Sequence, residues 1–358
     1  MSAEPPPAGL ATLPAWLQWM ILAVASVVLA ALLELAALPA ALLIGPLLAG
    51  IAVGISHATI RVPRPAFGAA QAVVGCLIAA SISLTTLATI AEDWLLVLVI
   101  VAATLAASSF LGWLISRWRI LPGTTAVWGS APGAASAMVL MAGAFGADQR
   151  LVAFMQYLRV IMVTIAAALI ARLWVDTPGV EPVPAPWFPP LDPFAFSATV
   201  ATVIAGGLLG RMLRLPSPHF LGVMILAGLL HLGLGIDLQL PQWLLAGSYA
   251  LIGWSIGLNF TRPILLHAAR ALPKITLSIL ALMAFCGLLA WLLVLVLGVD
   301  PLTAYLATSP GGVDSVAIIA AASKRVDISF VMALQTARFL VVLVLGPSLA
   351  RWVARSVP

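Results

Sequence analysis

The chain has 358 residues, 63% hydrophobic and 8% charged, with a mean hydropathy of +1.15. A soluble domain carries roughly a quarter charged residues, so too few polar side chains exist here to cover a globular surface, and the solvent of the fold must be largely lipid. The 17 Lys plus Arg against 12 Asp plus Glu form no basic run, so the excess reads as an orientation signal and no nucleic-acid partner is expected.

In chain order, residues 1–14 read as an N-terminal cytoplasmic tail. Their start, Met-Ser-Ala-Glu-Pro-Pro-Pro, carries Glu4 and lacks the basic region of a secretory signal, so the first apolar segment is expected to stay as a span. Trp16 and Trp19 suit an interfacial anchor at its head. Uncharged stretches give six segments in the first half, at 15–37, 41–56, 67–90, 94–116, 124–146 and 151–173. Six more follow at 195–212, 219–234, 243–261, 275–298, 303–322 and 328–350. The Pro-rich, acidic stretch 176–192 is expected to be an extracytoplasmic linker between membrane repeats at 15–175 and 193–352, with 353–358 a C-terminal tail. Cys76 and Cys286 lie far apart in apolar runs and read as buried free thiols.

The halves are copies. An offset of 178 superposes Pro63 on Pro241, Gly75 on Gly253, Trp113 on Trp291, Thr125 on Thr303, Pro132 on Pro310 and Gly133 on Gly311. After one inserted residue, 179 carries Asp148 to Asp327, Gln156 to Gln335 and Arg159 to Arg338. Such coincidences of Pro, Trp, Gln and Arg mark a tandem repeat. Loop charges reverse between the copies: basic (Arg61, Arg64), acidic (Glu92, Asp93) and basic (Arg117, Arg119) in the first; Asp237, then Arg262, Arg270 and Lys274, then Asp300 in the second. Equivalent loops on opposite faces require inverted topology and an odd number of crossings per copy. The expected fold is therefore all-α, two inverted repeats, each of five transmembrane helices plus one re-entrant or broken helix. Both termini then face the cytoplasm, which suits Arg351 and Arg355, while Lys324 and Arg325 fall outside against the trend.

The fifth segment of each copy is the one expected to break, at Gly129-Ser-Ala-Pro-Gly133 and Thr308-Ser-Pro-Gly-Gly312. A hairpin dipping partway into the membrane and a discontinuous helix that crosses fully both fit. Broken backbone at membrane depth needs protein or a water-filled cavity around it, and paired breaks in inverted copies point to a midplane substrate site. The half-helix starting after each Pro-Gly offers free N–H groups to an anion, and Ser130, Ser136, Thr308, Ser309 and Ser315 add hydroxyls beside Pro132, Gly133, Pro310, Gly311 and Gly312. The plainer alternative is a kinked, packed helix.

Gln156 and Arg159 share a helical face, as do Gln335 and Arg338, and both arginines fall near the bilayer centre. An arginine there costs at least ~2.5–3.5 kcal/mol and needs a polar partner or an aqueous cavity. Asp314 is the acidic residue in that layer, so a substrate carboxylate would neutralise the surplus charge. Alternatively Asp314 pairs with one arginine and a cluster of backbone carbonyls holds the other, or Asp314 carries a coupling proton or sodium ion. Gln71 and Asn259 are secondary candidates for the same cavity. His57, His219, His231 and His267 have no metal-ligand spacing, and neither a Ser/His/Asp set nor a Gly-rich phosphate loop exists, so no metal, cofactor or enzymatic activity is expected.

The motifs Gly-Pro-Leu-Leu-Ala-Gly at 45–50, Ser-Ala-Pro-Gly at 130–133 with Gln156 and Arg159, and Ser-Pro-Gly-Gly at 309–312 with Gln335 and Arg338 resemble those of the AbrB membrane protein family over nearly the whole chain. That family is distinct from the small DNA-binding transition-state regulator sharing its name, and its members are labelled ammonia monooxygenases or regulators of gene expression. Its grouping with the cation/proton antiporter and anion transporter superfamily implies secondary transport by an elevator-like movement, a homodimer and a bacterial inner membrane location. The family's first copy often has an acidic residue after Pro-Gly-Gly. Pro132-Gly-Ala-Ala-Ser-Ala137 departs from this and leaves Asp314 alone. The function expected is secondary transport of a small anionic carboxylate solute through the lipid bilayer. The rivals are a membrane-embedded regulator acting through a partner and, opposed by the missing ligands, a membrane monooxygenase.

Overall fold

The computed structural model describes residues 9–36, 41–80, 82–118, 120–121, 124–133, 135–174, 186–215, 217–311, 316 and 326–356. Glu4, Arg119, Asp176, Gly312, Asp314, Ser315, Lys324 and Arg325 lie outside the described residues, as do the side chains of Ser136, His267 and Arg355. Every regular element among the described residues is helical. The first half holds α1 (Ala15–Leu35), α2 (Ala41–Ile55), α3 (Arg64–Ala80), α4 (Leu84–Glu92), α5 (Trp94–Arg117), α6 (Thr125–Ser130), α7 (Ala135–Ala144) and α8 (Gln149–Trp174). The second holds α9 (Pro193–Met212), α10 (Pro218–Gly228) continued by a π turn at Leu229–Gly233, α11 (Gln242–Gly257), α12 (Arg262–Leu297), α13 (Pro301–Thr308) and α14 (Ile328–Ser356).

Local chemistry sets several of these ends. Asp192 and Asp300 each precede a proline at the first helical position, and their carboxylates accept from the N–H groups of Phe194 and Ala195 and of Leu302 and Thr303. Ser83 caps α4 by accepting from Thr86 N–H, and Gly298 ends α12 at φ +65°. Five described helices, α1, α5, α9, α12 and α14, are long and apolar enough to cross a membrane. Val24, Val27 and Val28 on α1 and Leu288, Leu295 and Val296 on α12 are exposed, as lipid-facing side chains should be.

Element bounds recur at the sequence offset. Adding 178 to the starts of α1, α3 and α4 (15, 64, 84) gives those of α9, α11 and α12 (193, 242, 262), and 149 + 179 gives 328, the start of α14. Two expectations need correction. Segment three, read as 67–90, is two helices, because Ser83 starts a new one at α4. In the second copy the basic stretch read as a loop, Arg262 to Lys274, is the beginning of the 36-residue α12. Long basic side chains reach water from a helix end at the interface, so charge did not mark a break there.

The helices sort into two bodies. In one, α1–α3 pack against α9–α11; in the other, α4–α8 pack against α12–α14, and fewer contacts join the two. The first body is built on close approach of backbones. A Cβ on Gly257 of α11 would lie 2.5 Å from Leu47 O and 2.8 Å from Gly50 Cα of α2, and one on Gly253 would lie 2.8 Å from Leu47 N and 3.0 Å from Leu43 O. Gly54 meets Leu258 further along, so the contact positions rise together and α2 runs parallel to α11. Trp254 Nε1 also donates to Ser26 Oγ at 2.8 Å, tying α11 to α1.

Gly257→Ala should separate α2 from α11 at a cost of about 1–3 kcal/mol, because backbone atoms cannot swing aside. Gly287→Ala in α12, where a Cβ meets nothing within 4 Å, should leave stability unchanged or raise it by up to about 1 kcal/mol. Thermal unfolding of the two purified variants checks the contrast.

Candidate functional site

Segment five doubles back in the first copy, and its two ends meet in both copies. In the first, α6 enters, Ala131, Pro132 and Gly133 make the turn, and α7 returns; Asp148 N–H donates to Thr125 Oγ1 at 3.2 Å, which joins the two ends of the segment. In the second, Asp327 N–H donates to Thr303 Oγ1 at 3.1 Å. With its six residues at about 1.5 Å each, α6 reaches roughly 9 Å, well short of a crossing. In the first copy a hairpin, rather than a crossing helix, is the observed geometry.

Ending α6 at Pro132 leaves the last carbonyls of the half-helix without helical N–H partners. Gln156 and Arg159 on α8 supply them. Gln156 Nε2 donates to Trp128 O at 2.8 Å and Ala131 O at 3.0 Å, while Arg159 Nη1 donates to Ala131 O at 2.9 Å and Ser130 O at 3.4 Å. Arg159 Nη2 donates to Gln156 Oε1 at 2.6 Å and so fixes which face the amide presents. The second copy repeats this bond for bond on α14. Gln335 Nε2 donates to Leu306 O (2.7 Å) and Ser309 O (3.2 Å), and Arg338 Nη1 to Ser309 O (2.8 Å) and Thr308 O (3.4 Å). Arg338 Nη2 bonds Gln335 Oε1 and also Gly311 O at 3.3 Å.

All four clamp side chains are at most 2% exposed. A cluster of backbone carbonyls, one of the arrangements open in the sequence, accepts from both arginines, while Asp314 lies outside the described residues. Partial negative charge at the half-helix ends and the Gln oxygens offsets part of each guanidinium charge. Among the described residues the ion pair that reaches 4 Å is Arg150–Asp148, so neither arginine has a carboxylate partner there. The two guanidiniums are close enough to repel one another. Among the described residues, Nε of Arg159, Nε of Arg338 and Oγ of Ser130 are buried without a hydrogen-bond partner. Unmatched donors beside two cations are what an acceptor anion would fill.

Other candidates fare unevenly. Pro132, Gly133, Pro310 and Gly311 are buried in the two tips. Thr308 Oγ1 donates to Cys286 O (3.0 Å) and Ala304 O (2.9 Å), and Ser309 Oγ donates to Leu306 O (3.2 Å), so both hydroxyls bond backbone carbonyls. Gln71 is buried on α3, whereas Asn259 is exposed just past the end of α11. Cys286 is a buried free thiol, as expected, and its counterpart at the offset, Ser108, is buried too.

A separate cavity of about 460 Å³ opens at the base of the first hairpin, lined by residues that include Gly143, Asp148, Arg150, Ser255 and Asn259. Arg150 forks onto Asp148, Nε to Oδ1 at 2.9 Å and Nη2 to Oδ2 at 2.8 Å, and its Nη1 donates to Asn259 O at 2.9 Å. Partial burial pushes the Asp148 carboxyl up, but the Arg150 hydrogen bonds and charge and the N–H groups of Arg150 and Leu151 outweigh it and hold the carboxyl below its ordinary value.

The family described as "Transition state regulatory protein AbrB" matches residues 42–354, which include both hairpins and both Gln/Arg pairs. The chain belongs to the AbrB family. It is 46% identical over 343 residues to "Putative regulator AbrB" of Escherichia coli (strain K12), covering 96% of this chain and 98% of that protein. It is 24% identical over 304 residues to "Uncharacterized protein YhjN" of Bacillus subtilis (strain 168), covering 78% and 77% of the two chains.

Within one clamp, Gln156→Ala and Arg159→Ala should be strongly non-additive in thermal stability, since each orphans groups the other holds. Gln156→Ala combined with Gln335→Ala, in different clamps, should come closer to additive. The lowered carboxyl fixes the sign of a pH effect: stability lent by the Asp148–Arg150 pair is present above the ordinary carboxylate pKa and is lost as pH falls through the lower folded value. The difference in melting temperature between the wild type and Asp148→Asn should therefore stay constant from about pH 5 upward and shrink only in stronger acid.

Proposed function

We propose that this AbrB-family protein is a secondary transporter of a small anionic, carboxylate-bearing metabolite, working by alternating access around the two hairpins. The observation that carries the reading is the pair of buried guanidiniums at the hairpin tips, each with its Nε unpartnered among the described residues and neither facing a described carboxylate. In lipid such a concentration of positive charge is costly, and an anion bound between the tips would relieve it. The site so assigned comprises Ser130, Pro132, Gly133, Gln156 and Arg159, and Thr308, Ser309, Pro310, Gly311, Gln335 and Arg338, with Ser136, Gly312, Asp314 and Ser315 as further members from outside the described side chains. Asp314 is the carboxylate we assign to a coupling proton or sodium ion.

Inverted repeats support the mechanism. The parallel course of α2 and α11, second and third helices of their copies, is what inversion produces, whereas copies of one orientation would set these two helices antiparallel. Helices crossing alternately, with each hairpin returning to its own face, put Arg61, Arg64, Arg117, Arg150, Arg211 and Arg262 on one side and Glu34, Glu92, Asp93, Asp192, Asp237 and Asp300 on the other. By the retention of Lys and Arg in the cytoplasm, both termini lie there and the linker outside, in a bacterial inner membrane. Both hairpins belong to the body formed by α4–α8 and α12–α14, so that body would carry the solute past the other in an elevator-like step. A homodimer, held through the static body, completes the proposal by analogy with transporters of that kind.

The printed name of the Escherichia coli relative favours a second reading, a membrane-embedded regulator acting through a partner. Uptake of labelled carboxylic acids into proteoliposomes under a proton or sodium gradient separates the two. Transport is expected, reduced about tenfold or more by Arg159→Ala or Arg338→Ala in variants that remain folded, which corresponds to losing about 1.4 kcal/mol of binding. Full activity in both variants would sink the site assignment. No uptake of any acid under either gradient would favour the regulator.

A further inference from the structure

The cavity at the base of the first hairpin has walls from both bodies. Gly143, Ala147 and Arg150 belong to the body with the hairpins, and Ser255, Ile256 and Asn259 to the end of α11 in the other. Any sliding of one body past the other must therefore change its shape. Its volume of about 460 Å³ falls in the range of small-molecule sites.

Arg150 bridges this seam. Its fork on Asp148 holds the guanidinium rigid from its own body, while Nη1 reaches Asn259 O, a carbonyl just past the end of α11 in the other. The second copy lacks the device. At the repeat offset Arg150 corresponds to Ser329 and Asn259 to Ser81. Asp327, counterpart of Asp148, accepts from Phe330 N–H and so caps its helix start. Capping thus accounts for an aspartate in both copies, but not for the added arginine or its reach across the seam.

We propose that this cavity is the solute's vestibule on the basic face and that Arg150 is the gate across it, its bond to Asn259 O breaking when the bodies shift. The proposal rests on the transporter reading for the identity of the solute, a small organic anion, but not for the gate itself. Arg150 acts here as a positioning residue between bodies, far from the tips. Release of a hydrogen bond from a charged donor, worth about 1.5–3 kcal/mol, would raise the open population roughly tenfold or more.

Single cysteines at Ala147 and Ser255, in the full-length protein whose Cys76 and Cys286 are buried, test this without any substrate. The probe is an anionic, membrane-impermeant methanethiosulfonate applied to intact cells and to inside-out vesicles. Both positions should react from the cytoplasmic face, and adding Arg150→Gln should speed the reaction at Ser255→Cys about tenfold. Arg150→Lys, which keeps the charge but not the fork, should fall between; Asp148→Asn, which frees the guanidinium from its own body, should act in the same direction as Arg150→Gln even if the latter folds poorly. Labelling from the outer face, or rates indifferent to residues 148 and 150, would overturn the gate whatever the uptake assay shows. Gated labelling in a protein that transports nothing would keep the gate and reject the transporter.

Discussion

Backbone carbonyls that a broken helix leaves open are the constraint from which the interior follows. Pro132 and Pro310 end their half-helices in the membrane, where no water is at hand to satisfy the last C=O groups. A Gln and an Arg one turn apart on the next long helix meet that need with four or more hydrogen bonds per tip. Guanidinium suits the task because its planar fork serves several acceptors at once and stays charged. Having used two cations to hold the tips, the fold carries a residual positive field at its centre, and the proposed anion site rests on that field.

The rest of the architecture divides labour around those tips. Small residues let α2 and α11, α9 and α10, and α3 and α10 approach until backbones touch, as at Gly206 with Val223 and Gly75 with Phe220. Such surfaces have little freedom to re-pack. The hairpin body is joined to this rigid one by fewer contacts, an arrangement suited to relative movement.

Much of the fold was legible because the chain says everything twice. The offset of 178, then 179, located the breaks, the Gln/Arg pairs and the equivalence of α8 with α14 before any coordinate. What the sequence could not display was the partner of each arginine, since a carbonyl has no side-chain signature; acceptors supplied by Ala131 and Ser309 look like any other backbone. Charge also misled at Arg262–Lys274, where basic residues begin a helix instead of interrupting one. The break at Ser83 left no charge or proline to mark it within the run 67–90. The Arg150–Asn259 contact joins residues 109 apart in opposite copies, beyond the reach of local pattern.

Interlocking of the copies has a consequence for how the molecule is made. α2 lies on α11 and α3 on α10, so in the body of α1–α3 and α9–α11 each copy buries a glycine-bearing face against the other copy. When the first copy leaves the ribosome, its glycine faces meet only lipid, and they stay unpaired until more than half the chain has been inserted. Contacts of such long sequence separation are slow to form. Assembly is therefore a late event, in which a half-length chain has no finished core of its own and waits for its counterpart, whether that arrives on the same polypeptide or on another.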